Sequence, residues 1–243
     1  MTRTRPRPAV PVSAVWRALG TVRDPELDEP ITDLGFVADA GVADDGTATA
    51  DLRLPTYFCA PNFAFLMVAD ADDALRALPG VSDVRVRLLD HFASEEINGG
   101  VAAGRGFGAA FPDLAEGELA ELRLAFRRKA HAACQERVAT ALLASGADHA
   151  ELLRLRLGDA AGRVDGGELE RLRRRRRDLA LPAREEAPLL VDDEGAPLTL
   201  EELPARLRFA RTTRISIEGN AGWCRGLLRT RYGAAEDARE TAG

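Results

Sequence analysis

The sharpest chemical feature of this sequence is a thiol just ahead of a helix. Cys59 follows an apolar run ending near Leu54 and stands two residues before Pro61, a residue favoured at the first helical position. There the unpaired N–H groups and the positive end of the helix dipole favour thiolate, the form that binds metal or attacks an electrophile. Between Phe58 and Phe63 the same residue also reads as a small buried hydrophobe, as most free cysteines are. Asp24-Pro25-Glu26 sets two carboxylates about a rigid proline. Its plainer reading is a helical turn, with Asp24 as N-cap and Pro25 at N1. Asp33-Leu34-Gly35 has an equally plain reading as a turn. His91 closes an alternating run and precedes Ser94-Glu95-Glu96-Ile97-Asn98. A histidine there could serve as ligand or base, though a lone one is more often structural.

The remaining candidates carry less. His131 and Cys134, three apart on a helical pattern, have a spacing that could bind metal. Cys134 shares its row with Phe126, Ala130 and Val138, however, which favours a core. Cys224 sits beside Trp223 with no histidine or cysteine near it and reads as packing. Gly99-Gly100 with Gly104, Gly106 and Gly108 has the look of a phosphate loop, but no Gly-Lys-Ser/Thr follows and no strand leads into it. Arg171 and Arg173 to Arg177, flanked by Glu168, Glu170 and Asp178, read as a solvated helix face, with an acidic or phosphate partner the lesser reading.

The elements that must position these residues follow from periodicity. Val12 to Val22 has helical spacing (Val12, Val15, Trp16, Leu19). Gly35 to Val42 and Thr47 to Leu54 predict strands joined by Ala43-Asp44-Asp45-Gly46. A helix runs from about Pro61 to Leu78, is stopped by Pro79-Gly80, and is followed by a strand, Val81 to Leu89, with Val84, Val86 and Leu88 on one face. Farther on, helices are predicted over Ser94–Ala103, Leu114–Ser145, Ala150–Leu157 and Gly166–Leu181. Thr199 to Glu202 fits a capping box, Thr212 to Ile217 alternates as a strand, and Gly222 to Tyr232 closes with a helical turn. The expected fold class is α+β: a two-layer α-β-β-α-β N-terminal sandwich, then a mainly helical region and a small C-terminal α/β unit. The corresponding segments are a disordered arm at 1–11, a first domain at 12–92, the helical region at 93–182 and the small unit at 183–243.

Composition narrows the function. With 243 residues, the chain has room for one large or two small domains. Hydrophobic residues at 46% exclude whole-chain disorder, and a net charge of −6 argues against a globally basic nucleic-acid binder. The most apolar stretch, Tyr57 to Ala69, is broken by Pro61 and Asn62 and is too short for a membrane span. The N-terminus lacks the apolar core of a secretory signal, so a cytoplasmic location is expected. Three scattered cysteines make no disulfide framework, so reduced thiols are expected.

In their order and spacing, several pieces together resemble the Fe–S cluster assembly (FSCA) domain family, which includes PaaD- and SufT-like metal–sulfur cluster assembly factors. They are Thr21-Val22-Arg23-Asp24-Pro25-Glu26-Leu27, Ile31-Thr32-Asp33-Leu34-Gly35-Phe36-Val37, Thr56-Tyr57-Phe58-Cys59-Ala60-Pro61 and Leu78-Pro79-Gly80-Val81-Ser82-Asp83-Val84. His91-Phe92-Ala93-Ser94-Glu95-Glu96-Ile97-Asn98 is similar to a His-x-x-Ser/Thr-Glu…Asn tail found in that family's cytosolic eukaryotic members. The resemblance covers about a third of the chain. Tyr57-Phe58 replaces the family's glycine-rich approach to the cysteine, and PaaD's cysteine-rich C-terminal extension is absent.

The resemblance implies a non-enzymatic maturation factor that delivers iron or an iron–sulfur cluster, held transiently, to client metalloproteins. It carries Cys59 as the metal-linked thiol, with Asp24, Glu26 and Thr56 lining its pocket and His91, Glu95 and Asn98 at the rim. The partners it implies are clients and other assembly factors, and it allows a homodimer. Two alternatives stand beside it: a thiol-dependent enzyme using Cys59, His91 and Asp24, and a non-catalytic adaptor for a metal-dependent oxygenase. The C-terminal half would serve as a client-docking module.

Overall fold

The computed structural model describes residues 10–111 and 116–240, with side chains described at 10–111 and 119–233. The arm expected at 1–11 therefore lies almost wholly outside the described residues, as does the start expected at Leu114 for the long helix. The chain divides into two compact units, one formed by residues up to Leu119 together with Asn220 onward, the other by Ala120–Gly219.

The first unit holds α1 (Val12–Leu19), β1 (Val37–Val42), β2 (Thr47–Arg53), α2 (Pro61–Arg76), β3 (Asp83–Leu89), α3 (Ser94–Ala102) and α4 (Phe107–Ala110). The α-β-β-α-β order is as the periodicity predicts. β1 and β2 pair antiparallel through a tight turn, while β2 and β3 run parallel, with α2 as the crossover that a parallel pair needs. Registered pairs Ala48–Val84, Ala50–Val86 and Leu52–Leu88 turn one apolar face toward the helices. The opposite face carries Arg85 and Arg87, the latter paired with Asp51 at 2.6 Å. On α2, Ala64, Val68, Ala71 and Leu75 recur at helical spacing and are wholly buried against this sheet, as are Val15 and Leu19 of α1.

Gly100 belongs to this packing and not to a phosphate loop. A Cβ there would meet Ala110 Cβ at 2.7 Å, so α3 and α4 touch only because the side chain is absent.

The second unit is built on the body of α5 (Glu116–Ala144), with α6 (His149–Arg154), a 3₁₀ turn at Gly158–Ala160, and α7 (Gly166–Asp178). Cys134, Val138, Leu142, Leu152, Leu157, Leu172, Leu189 and Leu203 form its core. The capping box is present: Thr199 Oγ1 accepts from Glu202 N–H at 3.3 Å, and Glu202 Oε2 accepts from Thr199 N–H at 2.9 Å.

Two expectations are corrected in this part of the chain. Residues 212–217 are not a strand but lie within α8 (Leu203–Glu240). The hydroxyls of Thr212 and Thr213 donate to the carbonyls of Arg208 and Phe209, the back-bonding that threonine makes inside helices. Ala210, Ile217, Ala221 and Leu228 supply a buried helical row that outweighs six residues of alternation. Nor is the arginine run of α7 uniformly solvated, since Arg175 and Arg176 are buried. Arg176 donates to the carbonyls of Pro182, Pro188 and Leu189 and to Gln135 Oε1. Burial without a carboxylate lowers its pKa to about 10.

Among the described residues no helix is long and apolar enough to cross a membrane.

Candidate functional site

The loop between β2 and α2 is fixed from both sides. Cys59 directly precedes Ala60, the N-cap of α2, whose carbonyl accepts from Phe63 and Ala64. Thr56 Oγ1 lies 3.2 Å from Cys59 Sγ, a hydrogen bond in which either group can donate. Just past β3, the loop around His91 anchors this one. Phe92 N–H donates to the Tyr57 carbonyl at 3.0 Å, and His91 Nε2 lies 2.7 Å from the Cys59 carbonyl oxygen. His91 Nδ1 accepts from Ala93 N–H at 3.2 Å, which assigns the proton to Nε2 and makes Nε2–H the donor to Cys59 O. His91 thus clamps the backbone of the thiol loop. Neither ring nitrogen is left for the Cys59 thiol.

The first carboxylate turn lies in the same unit. Asp24 Oδ1 accepts from Glu26 N–H at 2.9 Å and Leu27 N–H at 2.8 Å, the turn-starting role expected for it. The residue is only 7% exposed. Burial pushes its carboxyl up to about 6, against the pull of those two N–H donors and with Glu26 and Glu29 adding to the rise.

The C-terminal part of α8 packs onto this turn and onto the two loops. Asn220 Nδ2 donates to Glu26 Oε1 at 3.3 Å, and Arg225 pairs with Glu29. Arg231 donates to the carbonyls of Leu54 and Asp90 at 3.1 and 2.6 Å, the chain positions where the thiol loop and the histidine loop begin. Ala221 and Leu228 are buried in the core of this unit. Leu228 Cδ2 lies 3.1 Å from where a Cβ on Gly35 would stand, and Gly35 has φ +76°, so that turn admits only glycine comfortably.

Cys224 is on this segment, and it packs there as its sequence reading expects. It is half-buried, packs against the same core as Cys59, and feels the charges of Asp24, Cys59 and Glu26. Burial first, then these acidic neighbours, push its thiol up to about 11.

Other candidates fall elsewhere. Asn98 exchanges two hydrogen bonds with the Leu88 backbone, at 2.7 and 3.1 Å, and so completes the end of β3. Glu95 is exposed in the first turn of α3. His131 and Cys134 are buried in the second unit, as the packing reading expects. Among the described residues, no three His, Cys, Asp or Glu side chains converge as a site for a single metal ion.

A family model described as iron–sulfur cluster assembly protein matches residues 13–88, which contain the whole carboxylate turn and Cys59. Over 84 residues the chain is 33% identical to an uncharacterized protein of Methanocaldococcus jannaschii, covering 35% of this chain and 86% of that one. The chain belongs to the iron–sulfur cluster assembly protein family. Another relative, an iron–sulfur cluster carrier protein of Synechocystis, is 37% identical over 75 residues, which are 31% of this chain but only 20% of the carrier. No solved structure matches the chain. Within this assembly family, His91 holding the Cys59 carbonyl and α8 seated on the carboxylate turn are what the structure adds to the matched segment.

Proposed function

We propose that this protein is a maturation factor that takes up iron or an iron–sulfur cluster and delivers it to client metalloproteins, with Cys59 as the thiol that meets the cargo. The observation that carries this reading is the placement of Cys59. It is half-exposed at the mouth of α2 and bonded to Thr56, in the unit that also holds the buried carboxylate of Asp24. One thiolate makes an open and labile attachment suited to handing a metal on. Iron–sulfur clusters take about four thiolates, so further ligands would come from the client, a second copy of the chain or small thiols. The second unit would serve in docking clients or other assembly factors.

The thiol-enzyme reading finds less support. A nucleophile needs a base within reach of its sulfur, and His91 spends both ring nitrogens on backbone groups. The Asp24 carboxylate is engaged by the turn's own N–H groups and does not orient His91.

Anaerobic reconstitution with ferrous iron and sulfide, comparing wild type with Cys59→Ser, tests the proposal. Iron and sulfide retained after desalting by the wild type, and lost from the variant, are expected. Equal retention by both proteins, or none by either, would reject Cys59 as the attachment point.

A further inference from the structure

Resting on that reading, we propose that Arg231 is a positioning residue of the thiol site: from α8 it supplies the cross-strand rung that holds the Cys59 loop and the His91 loop in phase. The parallel pairing of β2 and β3 ends at Arg53 and Leu89. Leu54 and Asp90 come next, and there the two strands leave the ladder for their loops. Their carbonyls are bridged instead by one guanidinium. Arg231 Nη1 donates to Leu54 O at 3.1 Å, and Nη2 donates to Asp90 O at 2.6 Å. Beyond this bridge, Phe92 N–H donates to the Tyr57 carbonyl and His91 Nε2–H to the Cys59 carbonyl. In series, these links run from the paired strands through the guanidinium and the backbone bond to the imidazole, with Cys59 at the far end.

Two further observations support the assignment. Asp90 has φ +49°, in the left-handed region that few residues besides glycine adopt. Residues of α8 hold it by both of its polar groups, since the Tyr232 hydroxyl donates to Asp90 Oδ2 at 3.3 Å while Arg231 takes the carbonyl. The guanidinium is itself aimed. Arg231 and Arg53, the last residue of β2, both lie over the Tyr232 ring, at 5.0 and 4.8 Å from its centre. A planar fork held in this way serves two acceptors through two different nitrogens, which a single ammonium cannot do at the same spacing. The matched family segment ends at residue 88, so this rung comes from outside it.

Alkylation of Cys59 by iodoacetamide, followed on the full-length protein by mass spectrometry of the Cys59 peptide, tests this beside iron and sulfide retention after reconstitution. Arg231→Ala and Arg231→Lys are expected to speed alkylation about fivefold or more and to cut retention about tenfold, the usual scale for residues that orient a metal ligand, at unchanged far-UV circular dichroism. Arg87→Ala is the control. It removes the 2.6 Å ion pair with Asp51 that joins the same two strands on their outer face, and both readouts should stay at the wild-type value. An Arg231→Ala protein that alkylates and retains cargo like wild type would overturn the proposal. So would an Arg87→Ala protein that shifts equally, since the effect would then be general loosening of the strands. Arg231→Lys behaving as wild type would also overturn the rung and leave only a charge. A wild type that takes up no cluster, with alkylation still faster in the Arg231 variants alone, would keep the positioning role and reject the cargo.

Discussion

His131 should make the second unit sensitive to acid. Its side chain is fully buried, and neither ring nitrogen has a hydrogen-bond partner. Burial, reinforced by the Arg176 charge, pushes its pKa down from 6.5 to about 3. A base with a depressed folded pKa binds its proton more readily when unfolded. Its contribution to stability is therefore complete above pH 6.5 and is lost as pH falls from there toward 3. Between pH 8 and pH 5 the unfolded chain gains nearly a full proton and the folded chain almost none, which costs about 2 kcal/mol. At pH 4 the cost reaches about 3 kcal/mol.

His131→Leu removes the titrating group and should remove this pH dependence. Wild type alone would mislead, because Asp24 acts with the opposite sign. Its folded pKa is raised to about 6, so its stability contribution is lost as pH rises. The difference between wild type and His131→Leu isolates the histidine. The assay is urea unfolding by far-UV circular dichroism at pH 5, 6, 7 and 8. Trp16, Trp223, Tyr57 and Tyr232 all belong to the first unit, so their fluorescence follows that unit separately. A wild-type-minus-variant difference that stays flat from pH 8 to pH 5 would refute the reasoning, since His131 would then have a normal pKa or a proton partner.

Other outcomes follow from the same packing. Arg176→Met should cost about 3–5 kcal/mol in urea unfolding, because three carbonyls and Gln135 Oε1 lose their donor together. Arg176→Lys should not restore it, since one ammonium cannot span the guanidinium's fork of acceptors. Asp24→Asn keeps an Oδ1 acceptor for Glu26 and Leu27 and should abolish the gain of about 1 kcal/mol that the first unit shows from pH 7 to pH 5, read by tryptophan fluorescence. Gly35→Ala combines a positive φ with a Cβ pressed on Leu228 and should cost about 1–2 kcal/mol. Hydrogen exchange should rise over residues 220–232 in that variant more than over β3.

The α-β-β-α-β half was legible because its faces are simple. Val84, Val86 and Leu88 alternate, Pro61 opens a helix and Pro79-Gly80 ends it, and each local signal agrees with the burial found. Cys59 and the carboxylate turn were legible as candidates from their positions beside helix starts. The second unit was legible as helices, and Cys134 as part of its core, but its buried arginine was not: nothing in six closely spaced arginines says which one meets the carbonyls of Pro182, Pro188 and Leu189. Residues 212–217 alternate like a strand, and only packing through Ile217 and Ala221 makes them helical. Cys224 was legible as packing, and it is half-buried against the core of the first unit. Asn98 entered as a rim residue through the family resemblance alone, and its side-chain amide bonds the Leu88 backbone.

The return of α8 to the carboxylate turn also sets an order of events during synthesis. The segment from Val12 to Leu89 can leave the ribosome complete, while Ala221 and Leu228, which finish its core, are made later. At about 5–20 residues per second, Tyr232 follows Leu89 by roughly 7–30 seconds. Through that interval Glu26 and Glu29 lack Asn220 and Arg225, and the Leu54 and Asp90 carbonyls lack Arg231. A nascent chain therefore presents Cys59 in a half-built setting, and a message truncated anywhere before codon 220 would leave it that way permanently.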